Sequence, residues 1–279
     1  MYYIGVVLTN TEGNPMTDEI VIQSESGVME IRLNRPEKMN AVTPTMVARL
    51  GVAIETARQD ETVRCLFISA TGKAFCSGRD LATAKPGESA EAILANEMNP
   101  VIEALHRLEK PTLAAVQGAA MGFGLGLALA CDVVYGSPSA RFGIPFARLG
   151  AALDSGGHWF LCRRLAPGKV LEMIYSAENL NGDAAAAAGL IERCWPDQEL
   201  YARARLFAQA CANGPATAFA RQKALLRESQ GWSLERVLAA EAKLQGELAL
   251  TSDYAEGITA FQARRAPVLD RKSTRLNSS

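Results

Sequence analysis

The segment between Lys110 and Asp132 contains no charged residue, and it constrains the fold of this chain more than any other segment does. Its first part, residues 112–116, is a short apolar run that predicts a buried strand, and residues 125–130 predict an apolar helix. Glycines at 118, 122 and 124 predict the turn between them. Such a turn presents the free N–H groups of a helix N-terminus to an anion, or it is a buried crossover in which glycine only permits close packing.

The same uncharged segment is long enough to raise the possibility of a membrane span. Gln117 and four glycines interrupt it, so a buried strand and helix explain it better. The chain has 279 residues, is 48% hydrophobic and has a net charge of −1, which favours one large domain and excludes a basic surface for nucleic acid. The six cysteines form no CxxC pair, so we expect neither a metal site nor a redox motif, and a cytoplasmic location.

Strands alternate with helices to about residue 145, and this order predicts a largely parallel sheet with right-handed crossovers. Later residues are almost wholly helical. A shift in composition at 195–196 predicts a core domain over 16–196 and a helical C-terminal region over 197–270. Residues 1–15 read as a non-native or disordered leader, and 271–279 as a non-native tail.

Four motifs, in order along the chain, resemble those of the crotonase family, also called the enoyl-CoA hydratase/isomerase superfamily. They are NRPEKMNAV at 34–42, GKAFCSGRDL at 72–81, VQGAAMGFGLGLALACD at 116–132 and EGITAFQARRAP at 256–267. The resemblance covers about residues 18–268. It implies an α/β fold, built as a spiral of ββα units with a helical trimerisation region, and a homotrimer or dimer of trimers. It also implies an acyl-CoA thioester substrate that brings coenzyme A with it, no separate cofactor, and no nucleic-acid or membrane partner.

The resemblance also implies which residues act on the substrate. Two backbone N–H groups would hold the thioester oxygen as it becomes an enolate-like oxyanion, and they fall on Arg79 and Phe123. The coenzyme A and substrate contacts implied by the family pattern are Lys38, Asn40, Ala41, Gly78, Gly122, Phe261 and Arg264, the last two commonly reaching the nucleotide of a neighbouring subunit.

Hydratases of the family place two glutamates in the site, because water addition needs one group to activate water and another to deliver a proton. Those positions fall on Gly126 and Phe146 in this chain, and neither residue is an acid. This departure argues against ordinary hydratase chemistry.

One carboxylate remains at a third position that the family uses. LGAALDSGGHW at 149–159 resembles a segment of enoyl-CoA isomerases and of ring-opening isomerases of the phenylacetate pathway, with Asp154 as its acid and Leu153 in place of the usual proline. A single carboxylate suits double-bond migration, because it can take a proton from one carbon and return it two carbons away. Apolar neighbours would raise the pKa of Asp154 and make it a better base. The alternative is that Asp154 only caps a helix N-terminus.

Two other functions stay open at this point. One is a different acyl-CoA reaction: atypical hydration, hydrolysis or dehalogenation. Dehalogenation in this family also needs a tryptophan at position 146 and a histidine over the site, which neither His106 nor His158 provides. The other is a catalytically silent acyl-CoA-binding protein. Glu97 is either a second acid or an exposed helix glutamate, and Asp132 is expected to be structural.

Overall fold

The computed structural model describes residues 18–85 and 87–269. The strands are β1 (Ile20–Glu25), β2 (Val28–Leu33), β3 (Cys65–Ala70), β4 (Thr112–Val116), β5 (Ala119–Met121), β6 (Val133–Gly136), β7 (Arg141–Gly143), β8 (Leu180–Asn181) and β9 (Arg193–Cys194). The helices are α1 (Pro44–Gln59), α2 (Ala90–Ile93), α3 (Asn99–Arg107), α4 (Phe123–Leu129), α5 (Gly157–Arg164), α6 (Pro167–Ser176), α7 (Gly182–Ala187), α8 (Asp197–Ala212), α9 (Ala216–Glu228), α10 (Leu234–Leu248) and α11 (Ser252–Gln262). Short 3-10 turns lie at Pro36–Lys38, Leu81–Thr83 and Pro145–Leu149.

Two sheets form the centre of the molecule. The larger has the order β1-β2-β3-β4-β6-β9, and every pair in it except β1–β2 is parallel, as the alternating pattern predicts. The smaller sheet has the order β5-β7-β8 and starts from the glycine-rich segment. The expected α/β fold is therefore confirmed, and the uncharged segment runs through both sheets as strand, turn and helix.

The larger sheet has a hydrophobic layer on each face. Helices α1, α3 and α4 supply the main core on one face. Helix α8 covers the other face with Leu200, Ala204 and Ala208, which pack against Phe67 and Tyr135. The division at 196–197 stays a prediction, but α8 belongs to the packed layers of the sheet. The calls on residues 1–15 and 271–279 lie outside the described residues.

Helix α1 begins as its sequence predicts. The Thr43 hydroxyl accepts the N–H of Met46, and Pro44 occupies the first helical turn. The sequence over 89–108 predicts one continuous helix. The structure instead has a π-helical turn at Leu94–Met98, where the N–H of Asn99 donates to the Leu94 carbonyl. Pro100 follows directly and has no N–H, so an ordinary helical bond cannot form at that position.

None of the described helices has the length and apolar character needed to cross a membrane. Within residues 18–85 and 87–269, no three His, Cys, Asp or Glu residues cluster closely enough to hold a metal ion.

Asp132 joins α9 to the sheet, as its expected structural role requires. Its carboxylate pairs with Lys223 at 2.6 Å and Arg227 at 3.0 Å, and it accepts the backbone N–H of Thr112 at 2.9 Å. The side chains of Lys223 and Arg227 are 11% and 23% exposed, and this burial lowers the pKa values of both groups.

We expect Asp132→Asn to lower the free energy of unfolding by about 2 kcal/mol, because it leaves two partly buried cations without a counter-charge. Urea denaturation of the purified protein measures this loss. The control Glu199→Gln removes an exposed ion pair with Arg203 and should change stability by no more than about 0.5 kcal/mol. Equal effects of the two substitutions would contradict the anchoring role of Asp132.

Candidate functional site

Two loops far apart in sequence meet beside the glycine-rich turn. The N–H of Val42 donates to the Gly78 carbonyl at 2.8 Å, and the N–H of Asp80 donates to the Val42 carbonyl at 3.0 Å. These bonds flank Arg79 in a parallel bridge, so the N–H of Arg79 points away from Val42. No acceptor for this N–H is present in the described part of the chain. Arg79 therefore presents a fixed and free backbone donor.

A second free donor lies on the neighbouring segment. Phe123 is the first residue of α4, so its N–H has no partner within the helix, and none of the other described residues accepts it. The N–H of Met121 donates to the Cys76 carbonyl at 3.0 Å, which holds the turn beside the loop of Arg79. A side chain at Gly78 would begin 3.1 Å from the Met121 carbonyl. The two donors that the resemblance implies thus lie on adjacent segments.

The glycines of the turn have different roles, and close packing is the interpretation that the structure supports directly. Gly118 and Gly124 permit close packing, because a Cβ atom would lie 1.9 Å from the Lys73 carbonyl oxygen and 2.3 Å from the Cys76 carbonyl oxygen, respectively. Gly122 instead has φ 50° and ψ −116°, a conformation that turns the chain into α4. Close packing at Gly118 and Gly124 fixes the turn. Gly122 ends it with a backbone conformation that leaves the N–H of Phe123 without an acceptor among the described residues.

Gly126 and Phe146 occupy the two positions at which the resemblance implies glutamates in hydratases. A Cβ atom at Gly126 would lie 2.3 Å from the backbone oxygen of Ser155, so the loop before α5 occupies the space that a side chain would need. The Phe146 ring lies 3.4 Å from the Cβ position of Gly122 and covers the start of α4. The Ser155 backbone therefore fills the space beside residue 126, and an aromatic ring stands at residue 146.

The loop that contacts Gly126 carries Asp154. Its carboxylate is partly buried and accepts a 2.8 Å hydrogen bond from the Ser155 hydroxyl. Burial raises the pKa of Asp154 above its ordinary value, and the bond from Ser155 opposes that rise. The direction agrees with the expectation from apolar neighbours.

The helix-cap alternative for Asp154 is wrong. Helix α5 begins at Gly157, its N-cap is Gly156, and no side chain caps it. The Asp154 backbone carbonyl accepts the N–H of Gly157 at 2.8 Å, and its carboxylate takes no part in that turn. The carboxylate is therefore free for another role.

A cavity of about 230 Å³ extends from Arg79. Its lining residues are Val42, Pro44, Val47, Arg79, Thr83, Lys85, Glu88, Ile93, Glu97 and Met98. Met98 precedes Ile102 by one turn, and the Ile102 methyl lies 3.6 Å from the Cβ position of Gly156. The helix that closes this cavity thus also contacts the loop of Asp154.

The residues expected along the coenzyme A channel have different environments. Lys38 is exposed and Ala41 is 9% exposed. Asn40 is a correction, because its side chain is fully buried and committed to the protein. Its amide donates to the carbonyls of Thr71 and Ala74, and its oxygen accepts the N–H of Arg35. Asn40 shapes the loop and offers no side-chain contact to a ligand.

Phe261 and Arg264 lie at the end of α11 and face outward. Phe261 is 82% exposed, and Arg264 is exposed with φ 52°. No contact among the described residues of this single chain brings either side chain to residues 38–42 or to Arg79. Their expected role toward the nucleotide of a neighbouring subunit stays a prediction.

The two histidines do not supply a base beside Asp154. His106 packs against the rings of Trp159 and Phe160, at centroid distances of 4.8 and 5.5 Å, and burial lowers its pKa to about 4. His158 is exposed on the first turn of α5. The histidines therefore give dehalogenation no support.

The sequence missed the pairing of Arg79 with Glu88, whose carboxylate lies 2.5 and 2.9 Å from the guanidinium. The two residues are nine positions apart across an irregular loop, and no periodic pattern could have revealed the contact. Glu97 is exposed and lines the same cavity.

The sequence and fold of this chain are similar to those of one family of known proteins. The family model described as enoyl-CoA hydratase/isomerase matches residues 23–272. A protein of Rhodobacter capsulatus named "Probable enoyl-CoA hydratase" is 39% identical over 86% of this chain and 93% of its own length. The 1,2-epoxyphenylacetyl-CoA isomerase of Escherichia coli is 31% identical over 90% of this chain and 98% of its own. The crystal structure of an enoyl-CoA hydratase from Polaromonas superposes with a TM-score of 0.83 at 30% identity, and it covers 90% of this chain and 99% of its own.

Proposed function

Because this chain belongs to the enoyl-CoA hydratase/isomerase family, we propose that it moves the double bond of an enoyl-CoA thioester, with Asp154 as its acid and base. One observation carries the proposal. Asp154 is a partly buried carboxylate with a raised pKa, and its loop occupies the space beside Gly126 where a second acid would stand. A site with one carboxylate can transfer one proton from carbon to carbon.

In the proposed reaction, the thioester oxygen accepts hydrogen bonds from the N–H groups of Arg79 and Phe123. The Asp154 carboxylate removes a proton from C2 of a 3-enoyl-CoA, and the electron pair moves into a dienolate. The protonated Asp154 then returns the proton to C4, which gives the conjugated 2-enoyl-CoA and regenerates the carboxylate. Each fixed donor can contribute about 3 kcal/mol, because negative charge develops on the thioester oxygen only as the dienolate forms.

Related proteins carry both activities in their names, and the acids of this chain support isomerisation over hydration. Hydration would need a second group to activate water, and the side chains at 126 and 146 supply none. The likeness to a 1,2-epoxyphenylacetyl-CoA isomerase favours, as a second candidate, isomerisation of a ring-derived CoA ester at the same carboxylate.

The test gives the enzyme a 3-enoyl-CoA and, separately, a 2-enoyl-CoA. We expect the ultraviolet absorbance of the conjugated thioester to rise with the first substrate, and both substrates to reach the same equilibrium mixture of 2-enoyl-CoA and 3-enoyl-CoA. A product heavier by one water, detected by mass spectrometry, would show hydration and contradict the proposal. A 1,2-epoxyphenylacetyl-CoA substrate, with product identified by mass spectrometry and chromatography, tests the second candidate.

The reaction should depend on pH through Asp154. Only the ionised carboxylate can accept the proton from C2, so kcat/KM should fall as the pH is lowered through the pKa of Asp154. Since burial raises that pKa, the fall should occur above the value of an exposed aspartate, about 3.9. The bond from Ser155 favours the ionised form, so Ser155→Ala should move the fall to higher pH. A pH profile of kcat/KM that is the same in both proteins would contradict this assignment.

A further inference from the structure

The side chain of Arg79 forms an ion pair that the proposed reaction does not use. Its two terminal nitrogens lie 2.5 and 2.9 Å from the two oxygens of Glu88, which is the bidentate geometry of a strong guanidinium–carboxylate pair. The side chains of Arg79 and Glu88 are 22% and 24% exposed. The pair is therefore more sheltered than most surface ion pairs, and its geometry is specific.

Glu88 also closes its own turn. Its carboxylate accepts the N–H of Lys85 at 3.2 Å, and its own N–H donates to the Lys85 carbonyl at 3.1 Å. Thr83, Lys85 and Glu88 line the cavity that extends from Arg79. The Glu88 carboxylate thus bonds both to Lys85 in the lining of the cavity and to the side chain of Arg79, whose backbone N–H is free.

On the side of α1, the backbone around Arg79 is held through Val42, which bonds to the residues before and after it. The Gly78 carbonyl belongs to the same peptide group as the Arg79 N–H; it accepts the N–H of Val42 at 2.8 Å and a weak bond from the Cys76 thiol at 4.0 Å. Gly78 has φ 99°, a conformation open to glycine, so its own backbone resists rotation weakly. A second attachment through the Arg79 side chain would restrain the peptide from its other end.

We propose that Glu88 is a positioning residue, which holds Arg79 so that its N–H stays directed at the thioester oxygen. The inference rests on the proposed function, in which that N–H binds the developing oxyanion. Glu97 lines the same cavity, and its negative charge also acts on the Arg79 guanidinium. In the absence of Glu88, the guanidinium would turn toward Glu97 and pull on the peptide that precedes it.

The test compares Glu88→Gln with Glu55→Gln. The control removes a bidentate pair of the same chemistry, between Glu55 and Arg58 on the outer side of α1. For Glu88→Gln we expect kcat to fall about tenfold with KM changed less than about twofold, because the oxyanion donors act mainly in the transition state. The control should retain the wild-type kcat and KM, and both variants should retain the wild-type midpoint of thermal unfolding.

The position of the Arg79 N–H can also be tested without catalysis. Infrared difference spectroscopy measures the stretching frequency of the thioester carbonyl in a bound acyl-CoA that carries ¹³C at that carbon. Hydrogen bonds from fixed donors lower this frequency in the wild-type complex. Glu88→Gln should return it toward the value in solution. Arg79→Glu and Glu88→Arg should each have the same effect, and the double variant should recover the wild-type frequency, because it restores the pair with reversed charges.

The outcomes separate this inference from the proposed function. A wild-type shift that disappears in Glu88→Gln supports the positioning role, even if 3-enoyl-CoA is not converted and isomerisation fails. A wild-type shift that Glu88→Gln leaves unchanged overturns the positioning role alone. A wild-type complex without any shift overturns both the oxyanion role of Arg79 and the role of Glu88.

Discussion

Replacement of Asp154 by asparagine is expected to lower kcat for 3-enoyl-CoA conjugation by at least about 100-fold, because the amide cannot take and return the proton. The substitution changes little else in the structure. Asparagine keeps an oxygen that can accept the bond from the Ser155 hydroxyl, and the backbone carbonyl of residue 154 still accepts the N–H of Gly157. The loss should therefore report the chemistry of the carboxylate and not a disordered loop.

The measurement is initial-rate ultraviolet absorbance at saturating 3-enoyl-CoA, together with the dissociation constant of a saturated acyl-CoA for both proteins. We expect binding to change less than about threefold, because the N–H groups of Arg79 and Phe123 remain. Equal turnover by the two proteins would eliminate Asp154 as the proton carrier. Binding of acyl-CoA without turnover by either protein would favour the catalytically silent alternative.

The sequence predicted the parts of the site that are local in the chain. The strand and helix predicted between 112 and 130 follow from hydrophobic runs, and β4 and α4 confirm them, with α4 beginning at Phe123. The turn predicted between them is a correction, because it contains strand β5, which pairs with β7 in the smaller sheet. The start of α1 at Thr43 and Pro44 is local in the same way, because a cap depends on four or five neighbouring residues. The sequence also predicted that Asp154 lies just before a helix. It did not reveal that the Asp154 carboxylate leaves that helix uncapped.

The parts that sequence reasoning could not supply depend on contacts between distant segments. The motif predicts that Asn40 contacts the ligand. In the structure, its side-chain amide instead donates hydrogen bonds to the carbonyls of residues 71 and 74 and stabilises the loop. The π-helical turn at Leu94–Met98 interrupts a pattern that looks continuously helical. The ion pair of Arg79 and Glu88 has no signal in either residue's neighbourhood.

Gly126 links the fold to the choice of reaction. In the sequence motif, Gly126 stands at a position where the resemblance implies an acid. In the structure, the loop that contains Ser155 packs against α4 at Gly126. An acid at 126 and the present position of that loop exclude each other, because a Cβ atom there would meet the Ser155 backbone oxygen at 2.3 Å and its Cβ atom at 2.8 Å. The lack of a side chain at 126 and the position of the loop that carries Asp154 therefore depend on each other.

This exclusion predicts that Gly126→Ala is destabilising even though alanine favours helices. We expect the free energy of unfolding to fall by about 2–3 kcal/mol, because the backbone of Ser155 must move away from the new methyl group. The same movement displaces Asp154, so kcat for 3-enoyl-CoA should fall at least about tenfold. Urea denaturation and initial rates measure the two effects.

The matched control is Gly246→Ala in α10, where nothing lies within 4 Å of the new methyl group. In that variant the free energy of unfolding should rise by about 0.5–1 kcal/mol because of helix propensity, and kcat should stay at the wild-type value.

Gly126→Glu tests the same steric exclusion through activity. It should lose isomerisation without gaining hydration of 2-enoyl-CoA, because the new carboxylate can enter only by moving the loop that carries Asp154. A stable Gly126→Ala protein with full activity would show that the loop yields at no cost and that Gly126 does not decide the chemistry.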